Sequence, residues 1–204
     1  MSVPTDAPDE QAWAGYYRWN ADRPVRDLLA RALATYGAVE RGAVAVDLGC
    51  GSGQETRALL DAGFAVTAVD VTPAAVEIVS AYPEAGSRLT PVLSPMQDAT
   101  LPGADLVYAG YALPFCPPEQ FDRMWSSVTE AVRPGGLLAV DLFGDRDEWA
   151  GEAGMTFVDR SRVQSMCTGL DVLELTEVDE DGRAYAGPKH WHRFEVIARR
   201  PVVA

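Results

Sequence analysis

Three cysteines, two histidines and no long apolar run set the first limits on this 204-residue chain. Cys50, Cys116 and Cys167 are odd in number, far apart and never in a C-x-x-C pair, which argues against a disulfide scaffold and a zinc knuckle and leaves three reduced thiols. Basic residues are also scarce. Seventeen Lys+Arg stand against thirty Asp+Glu, a formal charge of −13, and such a field repels nucleic acid and anionic lipid. The first ten residues have neither a basic start nor an apolar stretch, so they do not read as a secretory signal, and no segment reaches the ~20 apolar residues of a membrane span. These absences point to a cytoplasmic protein without nucleic-acid or membrane partners, working as a monomer or homodimer on small molecules.

What is present is alternation. Residues 1–12, with Pro4 and Pro8, read as a flexible tail, and 13–204 as a single domain, since domains commonly run to ~100–200 residues. After Pro24, apolar Val25, Leu28, Leu29, Ala32, Leu33 and Tyr36 recur at helical spacing. Short apolar or β-branched runs at 43–48, 64–69, 89–93, 105–109 and 137–143 then alternate with helical stretches at 55–62, from Thr72-Pro73, and at 118–132. Pro91 marks the third run as an edge strand. Such a succession argues for a mostly parallel sheet with helices on both faces. A short helix at 160–167 follows. The chain ends differently, with strands at 172–178 and 190–198 flanking Asp179-Glu180-Asp181-Gly182, whose Asp-Gly pair reads as the turn of an antiparallel hairpin.

The chemistry concentrates in Val46-Asp47-Leu48-Gly49-Cys50-Gly51-Ser52-Gly53, an apolar strand running into three alternate glycines at the mouth of a helix. Glycines there let the backbone bend and let a ligand approach closely. Asp70, 21 residues after Gly49, ends the next strand, where a carboxylate can hold both ribose hydroxyls of an adenine ligand. Together these residues imply an adenosine-containing cofactor. A dinucleotide site wants G-x-G-x-x-G, whereas the spacing here is G-x-G-x-G with Gln54 next, so pyrophosphate binding is disfavoured.

With these residues in view, the sequence resembles the class I S-adenosylmethionine-dependent methyltransferases, whose first motif is an acidic residue, a hydrophobic one and G-x-G-x-G. The resemblance extends from Asp47 to Leu137, through Asp70, Gln97-Asp98 and Arg133-Pro134-Gly135-Gly136-Leu137. It implies a Rossmann-like α/β fold, a seven-stranded sheet of order 3-2-1-4-5-7-6 with only the last strand antiparallel. It also implies S-adenosylmethionine as methyl donor and S-adenosylhomocysteine as product, held by Asp47, Gly49, Cys50, Gly51, Gly53, Asp70, Val71, Gln97, Asp98 and Ala109. Residues 13–40 would cover the cofactor, with Tyr17 or Arg23 meeting its carboxylate. The segments 143–149 and 189–192 look similar to bacterial tellurite-resistance and thiopurine methyltransferases.

An acceptor belongs beyond the carboxyl ends of the strands. Tyr111, Phe115, Phe143 and Trp149 are the expected pocket residues. Alternation places His190, His192, Phe194 and Val196 on one face of the last strand and Trp191 and Arg193 on the other. Either histidine, or Asp145, is then a candidate general base, with hydrogen-bonded sheet residues as the plainer reading; no metal is expected. Two other functions stay open: a non-catalytic S-adenosylmethionine-binding module, and a short-chain NAD(P)-dependent oxidoreductase. The second rests on Tyr185-x-x-x-Lys189, a pattern that needs a helix which Gly187-Pro188 disfavours.

Overall fold

The computed structural model describes residues 10–202. Two helices, α1 (Glu10–Asn20) and α2 (Asp27–Tyr36), precede the sheet. The alternating core is β1 (Val44–Leu48), α3 (Gln54–Ala62), β2 (Ala65–Asp70), α4 (Pro73–Ser80), β3 (Leu89–Leu93), β4 (Ala104–Ala109), α5 (Pro118–Ala131) and β5 (Val132–Phe143). It is followed by α6 (Arg160–Met166), β6 (Asp171–Ala184) and β7 (Gly187–Arg199). The expected tail at 1–12 falls mostly outside the described residues; from Glu10 onward the chain is helical.

The sheet order is β3-β2-β1-β4-β5-β7-β6, and β7 runs antiparallel to both its neighbours. Its central strands β1, β2, β4 and β5 are buried on both faces, as a parallel core requires, while the edge strands β3 and β6 are largely exposed or half-buried. One face packs Val46, Val107, Leu138 and Phe194 under Phe121, Met124 and Val128 of α5. The other packs Ala45, Val66, Leu106 and Ile197 under Leu29 of α2, Leu59 of α3 and Val79 of α4. Pro91 lies in β3, at the sheet edge, as its missing N–H demands.

Two boundaries differ from the sequence reading. The helix expected from Pro24 starts at Asp27, because Arg26 is extended (φ −65°, ψ 142°) and donates its backbone N–H to the Glu55 carboxylate at 3.1 Å instead of entering the helix. The hairpin does not turn at Asp181-Gly182: β6 continues to Ala184, Gly182 pairs with Lys189, and Gly187 adopts the positive φ near the turn. Gly182 serves close approach, since a Cβ there would lie 3.0 Å from the Trp191 ring.

No helix among the described residues is long and apolar enough to cross a membrane.

Candidate active site

The carboxyl ends of β1, β2 and β4 open onto a single cleft of about 1350 Å³, roofed by α1 and by the tip of the β6-β7 hairpin. One half is built by the glycine loop. Gly49, Gly51 and Gly53 all have positive φ (80°, 49° and 84°), and the Gly49 and Cys50 amides donate to Val69 O at 2.8 and 3.0 Å, which clasps the loop to the end of β2. The Gly51 amide donates to Asp70 Oδ2 at 2.9 Å, while Asp70 Oδ1 accepts from the Thr72 amide and hydroxyl, each at 2.9 Å. Thr72 in turn caps α4. The carboxylate is thereby fixed in direction at the lip of the cleft. From α1, Tyr17 reaches down to Asp70 and Thr72, at 3.3 and 2.9 Å, and lies over Gly51. Burial, reinforced by Asp70, pushes its phenol far above the ordinary range.

Asp47 is fully buried behind this loop and accepts the Thr56 hydroxyl at 2.5 Å; burial, with Glu55 nearby, raises its carboxyl to about 7. Arg23 makes a two-pronged ion pair with Glu55 at the start of α3. Burial alone would raise Glu55, yet Arg23 overrides it and holds the carboxylate below its usual range. Arg23 is therefore already neutralised. The Cys50 thiol, pushed up by burial and by Asp47 and Asp70, is held as the neutral SH.

The other half is aromatic. Tyr111, at the end of β4, is the one non-glycine residue with positive φ (54°) among those described, and its amide is gripped by both oxygens of fully buried Asp141 at 2.8 and 2.9 Å. Burial raises Asp141 to about 7 against the pull of Arg26. The Tyr111 ring meets Trp191 edge-on at 5.4 Å and Phe143 at 5.9 Å, and Phe143 meets Phe115 at 6.2 Å and Trp149 at 6.0 Å. Behind Trp149 and Trp191 sits a buried cation: Lys189 Nζ lies 4.2 and 3.8 Å from their ring centres and ion-pairs with buried Asp147.

The sequence-derived residues divide accordingly. Gly49, Cys50, Gly51, Asp70, Val71, Tyr17, Arg23, Tyr111, Phe115, Phe143 and Trp149 all line the cleft. Asp47, Gly53 and Ala109 support the wall without lining it. Ser94 and Met96 line it in place of Gln97 and Asp98, and Asp98 instead pairs with Arg123 at 3.1 Å on the surface.

The histidines require correction. Alternation along β7 holds, but the face bearing Trp191 and Arg193 lines the cleft, and the face bearing His192, Phe194 and Val196 enters the core under α5 and α6. His192 is fully buried, accepting the Arg146 amide at Nδ1 (3.0 Å) and facing Glu177 at Nε2 (3.1 Å). His190 faces solvent between Asp179 and Asp181, which raise its pKa, and Asp145 is half exposed beside His192. Among the lining residues the sequence reading did not place in the site are Arg26, Tyr108, Trp191 and Arg193. Of these only Trp191 and Arg193 carried a legible signal, as the opposite parity of β7.

Known proteins share this fold. Residues 45–136 match the profile of a methyltransferase domain. A carboxy-S-adenosyl-L-methionine synthase of Yersinia enterocolitica is 31% identical over 164 residues, 71% of this chain and 62% of that protein; the chain thus spans about three fifths of the curated relatives it matches. Among solved structures, TehB of Haemophilus influenzae superposes with a TM-score of 0.73 at 16% identity, covering 86% of this chain and 62% of that one. The N-methyltransferase NodS of Bradyrhizobium japonicum, solved with S-adenosyl-l-homocysteine, gives 0.71 at 17% identity over 94% and 98%. The matched segment carries the glycine loop and Asp70, so residues 45–136 match a methyltransferase domain, and the chain as a whole has the fold of the solved methyltransferases it superposes on.

Proposed function

We propose that the protein transfers a methyl group from S-adenosylmethionine to a small-molecule acceptor in the cytoplasm. The observation that carries this reading is Asp70, held by the Gly51 amide and Thr72 so that a carboxylate at the end of β2 faces the same cleft as three positive-φ glycines. The residues fit the donor. The glycine loop offers backbone without side chains to an amino-acid moiety, Asp70 offers a carboxylate to ribose hydroxyls, and Val71, Ser94 and Met96 offer a half-apolar slot to adenine. The names of the relatives, a carboxy-S-adenosyl-L-methionine synthase and an N-methyltransferase bound to S-adenosyl-l-homocysteine, support the same ligand.

When bound, the sulfonium supplies an already activated methyl group, so the chain's residues have chiefly to align an acceptor with it. The edges of Tyr111, Phe143, Trp149 and Trp191 provide rigid walls for that purpose, and α1 with the hairpin tip excludes water. No histidine reaches the cleft, so proton removal by His190 or His192 is not part of this mechanism. His190→Ala is expected to keep kcat within about 2-fold and leave the pH profile of turnover unchanged, because a lost base would cost ~10²-fold or more. His192→Ala is expected to lower stability by ~2–4 kcal/mol in urea unfolding while the rate per folded molecule persists, since it strands the Arg146 amide and leaves a void against Phe194.

Calorimetry with S-adenosylhomocysteine tests the donor directly. Binding is expected for the wild type and at least ~10-fold weaker for Asp70→Ala, as loss of charge-assisted hydrogen bonds implies. Binding of NAD in place of S-adenosylhomocysteine would refute the reading. Tight binding with no turnover to S-adenosylhomocysteine across a broad acceptor panel would favour a non-catalytic binding module.

A further inference from the structure

The cleft contains a surplus of hydrogen-bond donors without acceptors. Arg26 points its guanidinium into it from the residue before α2, 4.1 Å over the Tyr111 ring. Among the described residues no carboxylate lies within ion-pairing distance of that guanidinium, and its one side-chain hydrogen bond goes to the Tyr16 hydroxyl at 3.5 Å. Two neighbouring cations have their charge compensated by ion pairs, Arg23 by Glu55 and Arg193 by Glu195 at 3.1 Å. Three further polar atoms of the lining, the Tyr108 hydroxyl, Trp13 Nε1 and Arg23 Nε, are buried with no partner. Asp141, the nearest acid to Arg26 in charge terms, is sealed beneath the Tyr111 amide and pushed toward neutrality by burial. A guanidinium withdrawn from water needs a counter-charge, and a buried hydroxyl needs a partner.

The position of Arg26 indicates which ligand brings that charge. Its ring platform, Tyr111, belongs to the aromatic half of the cleft, in contact with Trp191 and Phe143 and across from Asp70. We propose that Arg26, assisted by the Tyr108 hydroxyl, is the specificity-determining anchor for a carboxylate or comparable oxyanion on a flat, aromatic acceptor. This rests on the donor reading above. It explains how an anionic acceptor is drawn into a protein of net charge −13: Arg26 brings a half-buried guanidinium without an ion-pair partner to the cleft, whereas Arg183, also without one among the described residues, is exposed to water at the hairpin tip. An acceptor lying against Tyr111, Trp191 and Phe143 then points its acidic group at Arg26 and its nucleophile along the wall toward the donor.

The test uses thermal unfolding of the full chain saturated with S-adenosylhomocysteine, with indole-3-acetate and cinnamate as probes and their neutral amides as controls. Wild type is expected to bind the acids ~10- to 100-fold more tightly than the amides, read as a rise in Tm at millimolar probe. Arg26→Gln is expected to abolish that preference, Arg26→Lys to restore part of it, and Tyr108→Phe to reduce it, with S-adenosylhomocysteine affinity staying within about 3-fold in every variant. No preference for the acids, or a preference that survives Arg26→Gln, overturns the proposal. So does a loss of S-adenosylhomocysteine affinity in Arg26→Gln that is absent for its decarboxylated analogue, since the donor's own carboxylate would then be the anion. Failure of the wild type to bind S-adenosylhomocysteine would overturn the donor reading itself, a different result from donor binding without acid preference.

Discussion

Gly49→Val is expected to weaken S-adenosylhomocysteine binding by at least ~100-fold and to lower stability by ~3 kcal/mol, the order of backbone strain and steric overlap combined. Gly49 sits at φ 80°, a left-handed conformation that a β-branched residue adopts only under strain. Strain is the smaller part. A Cβ at this position would lie 2.4 Å from the Cβ of Ala112, and neither atom can rotate away because both are fixed to backbone. The loop must therefore shift, which breaks the bonds from the Gly49 and Cys50 amides to Val69 O and tilts the Gly51 amide away from Asp70. Gly42→Ala is the control: its φ of 88° imposes similar strain, but nothing lies within 4 Å of the added Cβ. It is expected to cost ~1 kcal/mol in urea unfolding and to leave calorimetric affinity unchanged. Equal affinities for the Gly49→Val protein and the wild type would show that the loop does not hold the ligand.

The donor half of the cleft was legible because its determinants are local. The run from Val46 to Gly53 encodes a strand, a turn and the entry to a helix within eight residues, and Asp70 is placed by the parallel pairing of β2 with β1, Val69 opposite Leu48. No long-range packing had to be known. The same holds for the sheet: alternation of apolar strands and amphipathic helices fixes a parallel core, and Pro91 identifies an edge. The hairpin turn was misplaced because Asp181-Gly182 satisfies turn chemistry equally well as a strand position whose glycine admits the Trp191 ring. A local signal had two uses, and only the cross-strand partner distinguishes them.

The acceptor half was less legible because β7 is covered on both sides. Alternation separated His190, His192, Phe194 and Val196 from Trp191 and Arg193 correctly, yet hydrophobicity could not say which set faces the ligand. The more apolar set went to the core, and the amphipathic set, Trp191 and Arg193, faces the cleft. Arg23 and Arg26 show the same ambiguity over three residues: both reach the cleft, but Glu55, 32 positions after Arg23, neutralises one and leaves the other free. Pairing of that kind is a tertiary fact.

Lys189 is the residue whose role changed most, from one half of a Tyr185-x-x-x-Lys189 pattern to a buried structural cation. It lies in β7, paired opposite Gly182, while Tyr185 is at the hairpin tip, so the two share no helix. Its side chain is 2% exposed, its Nζ meets Asp147 and the His190 carbonyl at 3.2 Å, and burial lowers its pKa against the pull of Asp147. Asp147 in turn accepts the Trp149 amide at 3.0 Å and the His192 amide at 3.2 Å, so the pair ties the loop after β5 to β7. Lys189→Met is expected to lower stability by ~3–5 kcal/mol, because it leaves a buried carboxylate without its counter-ion. Lys189→Met with Asp147→Asn should recover much of that loss, since it removes the unpaired charge and keeps an oxygen that can accept from the Trp149 or His192 amide. The spacing of Trp149 and Trp191 around Nζ also disappears in the single variant, so acceptor KM should rise while S-adenosylhomocysteine affinity holds. Arg146→Ala, by contrast, removes only exposed pairs with Glu177 and Asp179 and should hardly move the urea midpoint. If Lys189→Met unfolds at the same urea concentration as Arg146→Ala, the aromatic wall is not braced by this cation and its rigidity has another origin.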